Sequence, residues 1–201
     1  MSPRERHPGP PTDFRAVKLL IRTYPKERVW FRIHGAKRDP IYFGASSANR
    51  FDAPAGEFGV LYVGADAHCA FIETFGHATG TRSVSTAELR ARGLSVVSAS
   101  RDLRLVDLCG EGLARMGADA SLTGGYEYDL PQVWARAIHG HPRKPDGIAY
   151  RACHDPARTS AALFDRTASA LTARSLGHLA DPKQAQLLGR ILDTYELGIT
   201  P

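Results

Sequence analysis

Short apolar runs alternating with polar loops divide this 201-residue chain into many small predicted elements. Residues 28–34 alternate apolar and polar side chains, which predicts a strand with Arg32 near its end. Residues 59–64 form a compact β-type run, whereas 37–58 are rich in Gly, Pro, Asp, Asn and Ser and are predicted to be loop. Further strands are predicted at 95–100, 103–108, 147–151 and 161–165, the first two joined by a tight turn.

Two helix starts are marked by capping residues in the first half of the chain. Asp66 is placed to cap a helix that runs to about Gly76, because its side chain can accept from the free N–H groups of the first turn. Ser85 and Glu88 have the spacing of a capping box, which predicts a short helix ending at Gly93.

Two longer helices are predicted in the second half. Asp129 is the predicted cap of a helix through His139, and residues 181–182 open the last helix. That last helix carries an apolar stripe made of Leu187, Leu188, Ile191, Leu192 and Tyr195. Short strands mixed with helices, without a regular βαβ alternation, predict an α+β fold and argue against a Rossmann sheet. The chain also lacks G-x-G-x-x-G and phosphate-loop motifs.

Length and composition fit one globular domain with a sizeable core, since 43% of the residues are hydrophobic. Residues 1–14 are predicted to be a disordered lead-in because four prolines fall within the first dozen residues, and 15–201 are predicted to form the domain. No apolar run approaches the roughly 18 residues needed to span a membrane, and the N-terminus lacks a signal-peptide core. Together with three widely spaced cysteines, expected to be reduced thiols, this predicts a cytoplasmic protein.

The formal net charge of +5 is compatible with binding an anionic dinucleotide or a nucleic acid. The arginines form no cluster or helical stripe, so a basic nucleic-acid-binding module stands as the third hypothesis for function. A metal site is not predicted: His139-Gly-His141 and Cys153-His154 are the close groupings of possible ligands, and no C-x-x-C or H-E-x-x-H motif accompanies them.

Polar side chains inside apolar runs are the strongest indication of a functional site. Arg32 lies between Phe31 and Ile33, and Glu73 lies within A-F-I-E-T-F. A charged group in such surroundings costs several kcal/mol unless it is paired or faces a cleft. Arg50 and Tyr62 fall in the same region, which therefore predicts a polar site on an apolar scaffold.

The order of seven short motifs resembles the RES domain, a family found as toxins of bacterial toxin–antitoxin pairs. The motifs cover roughly residues 29–166: W-F-R-I-H-G at 30–35, N-R-F-D-A-P at 49–54, G-V-L-Y-V-G at 59–64, A-F-I-E-T-F at 70–75, D-L-R-L-V-D-L at 102–108, D-G-I-A-Y-R-A-C-H-D at 146–155 and A-L-F-D-R at 162–166. The resemblance implies an ADP-ribosyltransferase-like fold, with a curved, split β-sheet and surrounding helices around an NAD cleft. It also implies phosphorolysis or hydrolysis of the nicotinamide–ribose bond, and a helix-turn-helix (Xre-type) antitoxin as partner.

By position, the resemblance assigns roles to four residues, and a fifth, Tyr42, is a candidate from the sequence around it. Arg32 and Arg50 would hold the pyrophosphate of NAD, Glu73 would stabilise the ribosyl cation, and Tyr62 would position the substrate, with Tyr42 a weaker candidate of the same kind. Arg32, Tyr62 and Glu73 are thus the expected catalytic residues. For Arg50 an alternative role is equally supported, in which it is a loop arginine that braces Asp52. NAD would be a substrate, with inorganic phosphate as a possible co-substrate, and no cofactor is expected.

Two positions depart from the family pattern. Ala152, followed by Cys153, stands where a serine is usual, and Asp129 stands near a second expected serine. A strand continuing through residue 153 would turn Cys153 to the face opposite residue 152. The second hypothesis is therefore a RES-fold protein that binds a nucleotide or a partner without cleaving NAD.

Overall fold

The computed structural model describes residues 9–76 and 80–201, which form a mixed α+β fold. The strands in this part of the chain are β1 (Ile21–Tyr24), β2 (Trp30–Gly35), β3 (Val60–Gly64), β4 (Ser83–Ser85), β5 (Arg92–Ala99), β6 (Leu103–Leu108), β7 (Gly147–Arg151), β8 (Thr159–Phe164), β9 (Leu171–His178) and β10 (Gly198–Thr200). The α-helices are α1 (Ala67–Phe75), α2 (Thr86–Arg90), α3 (Glu111–Arg115), α4 (Ser121–Gly124), α5 (Asp129–His139) and α6 (Ala185–Tyr195). Short 3-10 helices span Phe14–Ala16, Asp165–Ala170 and Pro182–Gln184.

Eight of these strands form one sheet in the order β1-β6-β7-β8-β3-β2-β5-β9. The β6–β7 pair is parallel, and the other neighbouring pairs of this sheet are antiparallel. A helical crossover joins β6 to β7, as a parallel pair requires, and α5 lies within it. The strands β10 and β4 form a separate parallel pair.

The sheet is split between β3 and β2. These strands share a single paired position, Phe31 opposite Gly64, whereas β3 has five paired positions with β8 and β2 has six with β5. Beyond the Phe31–Gly64 pair, β2 and β3 diverge without further pairing among the described residues. A gap therefore opens between the two halves of the sheet, β1-β6-β7-β8-β3 and β2-β5-β9.

Apolar side chains cover both faces of the sheet, as the near-continuous hydrophobic runs of β3 and β8 require. One cluster packs α5 and the N-terminal Phe14 against the sheet, through Trp134, Ile138, Ile148 and Phe164. A second cluster lies around Trp30, Leu61, Leu105 and Leu163. A third joins α1 and α6 to β5, through Phe71, Leu94, Leu188 and Ile191.

Asp146 anchors the parallel strands β6 and β7 at their start. The Arg101 guanidinium donates to both Asp146 carboxylate oxygens at 2.8 Å, and the Arg104 N–H donates at 2.8 Å. Burial alone would raise the pKa of Asp146, but these donors outweigh burial and hold its pKa below the ordinary 3.8.

We expect Arg101→Ala to lower the free energy of unfolding by about 2 kcal/mol, because it leaves a buried carboxylate without its cation. This figure allows for solvent screening, since the Arg101 side chain is 48% exposed. Because the pKa of Asp146 is lower in the folded protein than in the unfolded chain, this carboxylate stabilises the fold at pH values above 3.8. That stabilisation is lost as the pH falls through the pKa of the folded protein. Denaturant unfolding should therefore show a smaller difference between variant and wild type at low pH. A loss no larger than that of Arg174→Ala, an exposed arginine on β9, would contradict this role.

Several predicted element boundaries are confirmed and others are wrong. Asp66 caps α1 by accepting from the Cys69 N–H at 2.8 Å, and the capping box of Ser85 is present at α2. That helix ends before Gly93, which belongs to β5, because residues from Arg92 onward pair with β2. Asp129 is the first residue of α5 and makes no capping hydrogen bond.

Three further differences concern long-range packing. The predicted tight turn does not make β5 and β6 neighbours, since they lie in different halves of the split sheet. Strand β9 was not predicted because most of its side chains are exposed and it depends on pairing with β5. Most of the predicted lead-in, residues 1–8, lies outside the described residues, but Phe14 is buried against Trp134 and belongs to the folded domain.

Candidate functional site

A cleft of about 380 Å³ occupies the gap between the diverging strands β2 and β3. This volume lies within the range of small-molecule sites. Its lining combines arginines, a carboxylate, hydroxyls and aromatic rings. The lining residues include Arg32, Arg50, Tyr62, Glu73, Arg92, Tyr128, Tyr150, Cys153 and Ser160. Of the five residues predicted from the sequence, the structure brings Arg32, Arg50, Tyr62 and Glu73 together here and leaves out the Tyr42 side chain.

Glu73 is presented to the cleft by α1, the helix that follows β3. A close approach at Gly64 seats this helix, since a Cβ there would lie 2.6 Å from the Ala70 nitrogen and 2.9 Å from the Cys69 Cβ. The Glu73 Oε1 accepts from the Cys153 N–H at 2.8 Å. This bond ties the carboxylate to the segment after β7 and orients it in the cleft.

Arg32 holds the loop between β2 and β3 while it lines the cleft. Its guanidinium donates to the carbonyl of Tyr42 at 3.1 Å and to the carbonyl of Pro40. Burial lowers the pKa of Arg32 to about 10, so the group is still a cation at neutral pH. Tyr42 contributes its backbone carbonyl; its phenol is half exposed and stacks near Arg38, 5.6 Å from the guanidinium carbon to the ring centre.

Arg50 is buried where it lines the cleft, and its contacts join the loop before β3 to the segment before α5. It donates to the Gly125 carbonyl at 2.6 Å, and its guanidinium carbon lies 4.9 Å from the centre of the Tyr128 ring. A cation over an aromatic face is held in place by the ring quadrupole. The alternative predicted from the sequence was that Arg50 braces Asp52. The contacts of Arg50 are with Gly125 and Tyr128 instead.

Asp52 is instead the buried acceptor that fixes the Arg50 loop. The Tyr62 hydroxyl donates to it at 2.9 Å, and Asn49 donates through its backbone N–H at 3.1 Å and its side-chain amide at 2.9 Å. The same hydroxyl accepts from the Phe51 N–H at 2.9 Å. Burial and the Asp52 charge raise the pKa of Tyr62 well above 10. Tyr62 therefore holds the loop through its hydroxyl and also lines the cleft, while its role toward a substrate stays a prediction.

Reasoning from sequence missed several polar residues of the cleft, among them Arg92, Tyr150 and Ser160. Arg92 reaches the cleft from β5, on the far side of β2, and Ser160 reaches it from β8, where it contacts the Cys69 sulfur at 3.2 Å. Burial and the nearby Glu73 carboxylate raise the pKa of Tyr150 well above 10, so its phenol stays neutral. No local pattern marked these residues, although Tyr150 stands inside one of the RES-like motifs.

The two departures from the family pattern lie outside the cleft. Ala152 is 1% exposed and is not among the lining residues, and Asp129 is exposed at the start of α5. Cys153, predicted to face away, lines the cleft because β7 ends at Arg151 and the pleated alternation does not continue past it. Ala152 therefore adds no apolar group to the lining of the cleft, and Asp129 adds no charge to it.

The requirements of a metal site and of a membrane-spanning helix can be compared with the described ranges, 9–76 and 80–201. Within them, His, Cys, Asp and Glu form no group of three that could hold a metal ion. The helices in the same ranges are all too short or too polar to cross a membrane.

Comparison with known proteins gives one family and two relatives. The family model of the RES domain matches residues 29–183. A protein of Sinorhizobium fredii (strain NBRC 101917 / NGR234), described as probable toxin y4kH, is 32% identical over 120 residues, which make up 60% of this chain and 92% of that protein. A chain in the crystal structure of the M. tuberculosis MbcT–MbcA toxin–antitoxin complex superposes with a TM-score of 0.61 at 17% identity, covering 81% of this chain and 92% of that chain.

The split sheet with a cleft at its division makes this an α+β protein of ADP-ribosyltransferase-like architecture, which confirms the predicted fold. The family match extends over most of the chain and includes every element that lines the cleft. The chain belongs to the RES domain family.

Proposed function

We propose that this protein is an NAD-consuming enzyme that cleaves the nicotinamide–ribose bond, and that it is the toxin of a toxin–antitoxin pair. The observation that carries the proposal is the placement of one carboxylate, Glu73, among three arginines in a single cleft. Arginine is the side chain best suited to a pyrophosphate, and a carboxylate suits a developing sugar cation.

The charged residues of the cleft have two different functions in the proposed reaction. Arg32 and Arg50 hold the pyrophosphate, and both are immobilised by backbone carbonyls or an aromatic ring, which reduces the entropy lost on binding. Arg92 adds a third positive charge from β5. Glu73 faces the ribose, oriented by the Cys153 N–H.

The proposed chemical step breaks the bond between C1″ of the ribose and the nicotinamide nitrogen. The bonding electrons leave with nicotinamide, whose ring becomes neutral, and positive charge develops on the ribose. Glu73 stabilises that charge electrostatically. An oxygen of water or of inorganic phosphate then bonds to C1″, and when water attacks, its proton passes to solvent.

The toxin assignment is supported by the relatives. The protein from Sinorhizobium fredii is described as a probable toxin, and the structural relative belongs to a toxin–antitoxin complex. By the same analogy, an antitoxin is the proposed partner. The family resemblance, and not the two relatives, suggests its helix-turn-helix domain, and the cytoplasm is the proposed location.

The binding-module alternative depended on Ala152 and Asp129, and the cleft does not favour it. Position 152 is buried away from the cleft, while Tyr150 and Ser160 supply polar groups within it. The loss of a serine at 152 therefore removes no hydroxyl from the lining.

Incubation of the purified protein with NAD, with and without inorganic phosphate, tests the proposal. Chromatography should show release of nicotinamide together with ADP-ribose in water, or with its 1″-phosphate when phosphate attacks. Folded protein that binds NAD by calorimetry but releases no nicotinamide at high protein concentration and long times would refute the enzymatic proposal and support a binding module.

A further inference from the structure

A second cavity, which we call the basic pocket, lies at the C-terminal end of α5. It encloses about 560 Å³ and is lined by Arg15, His139, His141, Lys144, Asp165 and Arg166, with Gly140 and Pro142 between them. The proposed NAD reaction uses none of these residues. From this geometry we infer that the basic pocket is a binding site for a phosphate or pyrophosphate group, separate from the cleft.

The basic pocket and the cleft lie at opposite ends of the same two elements. Ser160 of β8 lines the cleft, and Asp165, the residue after β8, lines the pocket; an extended chain of five residues spans about 17 Å. Tyr128, the residue before α5, lines the cleft, and His139, the last residue of α5, lines the pocket; the helical rise between them is roughly 16 Å. A ligand of the size of pyrophosphate cannot contact both sites at once.

The charge of the basic pocket is strongly unbalanced. Arg15 and Lys144 are exposed and form no ion pair with any residue of the described ranges. With Arg166 they place three cations around the cavity against one carboxylate, that of Asp165. An anion with two or more charges compensates such a cluster better than a single side chain does.

The end of α5 would oppose an anion, because a helix C-terminus carries a partial negative charge. Here Arg166 covers that end: it donates to the His139 carbonyl at 2.7 Å while its guanidinium carbon stays 5.7 Å from the centre of the Phe164 ring. A guanidinium has five N–H donors, so Arg166, which lines the cavity, can bind the His139 carbonyl and a ligand at the same time.

The two histidines do not add fixed positive charge. His141 is buried and both of its ring nitrogens have partners: Nδ1 accepts from the Arg143 N–H at 3.1 Å, and Nε2 lies 3.2 Å from the Val17 carbonyl. Burial, and then the Arg166 charge, lower the pKa of His139, which stacks on Phe58. Asp165 and Glu57 act in the opposite direction on the same ring.

Titration of the full chain with inorganic pyrophosphate, followed by the NMR amide shifts, separates the two sites. We expect saturable shifts at Gly140, Lys144 and Asp165, independent of any shifts at Glu73 and Cys153 in the cleft. A bound anion should also raise the pKa of His139, measured from its ring proton shifts. Titration with ADP as a second arm shows whether a nucleoside strengthens the binding; tighter or equal binding at the same amides both support the site.

The variant for this test is Arg15→Gln with Lys144→Gln, which should weaken pyrophosphate binding at the pocket about tenfold. Its matched control is Arg174→Gln with Arg190→Gln, which makes the same change in net charge at exposed positions of β9 and α6. Shifts confined to cleft residues, or equal pyrophosphate affinity in the two double variants, would overturn the inference. NAD cleavage should be unchanged in both double variants, because the pocket residues do not line the cleft.

Discussion

Replacing Glu73 with Gln should reduce the rate of nicotinamide release by about a hundredfold or more while leaving the fold intact. The substitution removes the negative charge that the proposed transition state needs, and removal of one such electrostatic group costs about 10²–10³ in rate. The shape of the side chain is kept, and its amide oxygen can still accept from the Cys153 N–H, which the carboxylate now binds at 2.8 Å. The effect should therefore appear in kcat, with little change in KM.

A matched control for this substitution is Glu111→Gln. Glu111 begins α3, is exposed and pairs with Arg115 at 3.1 Å, so its loss changes net charge by the same amount at a site remote in sequence from the cleft motifs. Circular dichroism and thermal unfolding would establish that both variants are folded. If Glu73→Gln released nicotinamide at the wild-type rate, Glu73 would have no catalytic role and the cleft chemistry would have to be reassigned.

Replacing Asp52 with Ala should cost about 3 kcal/mol in the free energy of unfolding and raise KM for NAD. Asp52 is fully buried, and its removal leaves the Tyr62 hydroxyl and both Asn49 donors without their acceptor. Each buried donor left unsatisfied costs about 1–3 kcal/mol, and the effects are less than additive because the loop can relax. That relaxation displaces Arg50, which explains the expected rise in KM.

Comparison with milder variants distinguishes positioning from direct contact with substrate. Tyr62→Phe removes one hydroxyl but keeps the ring in the cleft, and should cost about 1 kcal/mol in stability with a small effect on kcat. Asp52→Asn keeps one acceptor oxygen and should fall between wild type and Asp52→Ala in both stability and KM. A large loss of kcat in Tyr62→Phe, greater than in Asp52→Asn, would support the direct catalytic role predicted for Tyr62.

The sequence was most informative where local chemistry decides the structure. Asp66 and Ser85 begin helices because a side-chain acceptor and free N–H groups two or three residues away suffice for a cap. Arg32 and Glu73 were recognised because a charge within an apolar run is costly unless it faces a cleft. The helix caps and the cost of a charge in an apolar run both depend on neighbours along the chain. Both could therefore be recognised from the sequence without knowledge of the fold.

The tertiary structure decided how those groups meet and which others join them. The divergence of β2 from β3 after one paired position creates the cleft, and it brings Arg92 and Ser160 from strands on opposite sides of the split. In the folded chain the Tyr62 hydroxyl also binds Asp52, and Cys153 lines the cleft because β7 ends before it. Each of these results depends on strand pairing between residues far apart in sequence. The residue spacing of one chain carries no local signal for such pairing, so the polar residues could be recognised from the sequence, while their assembly into a site required the fold.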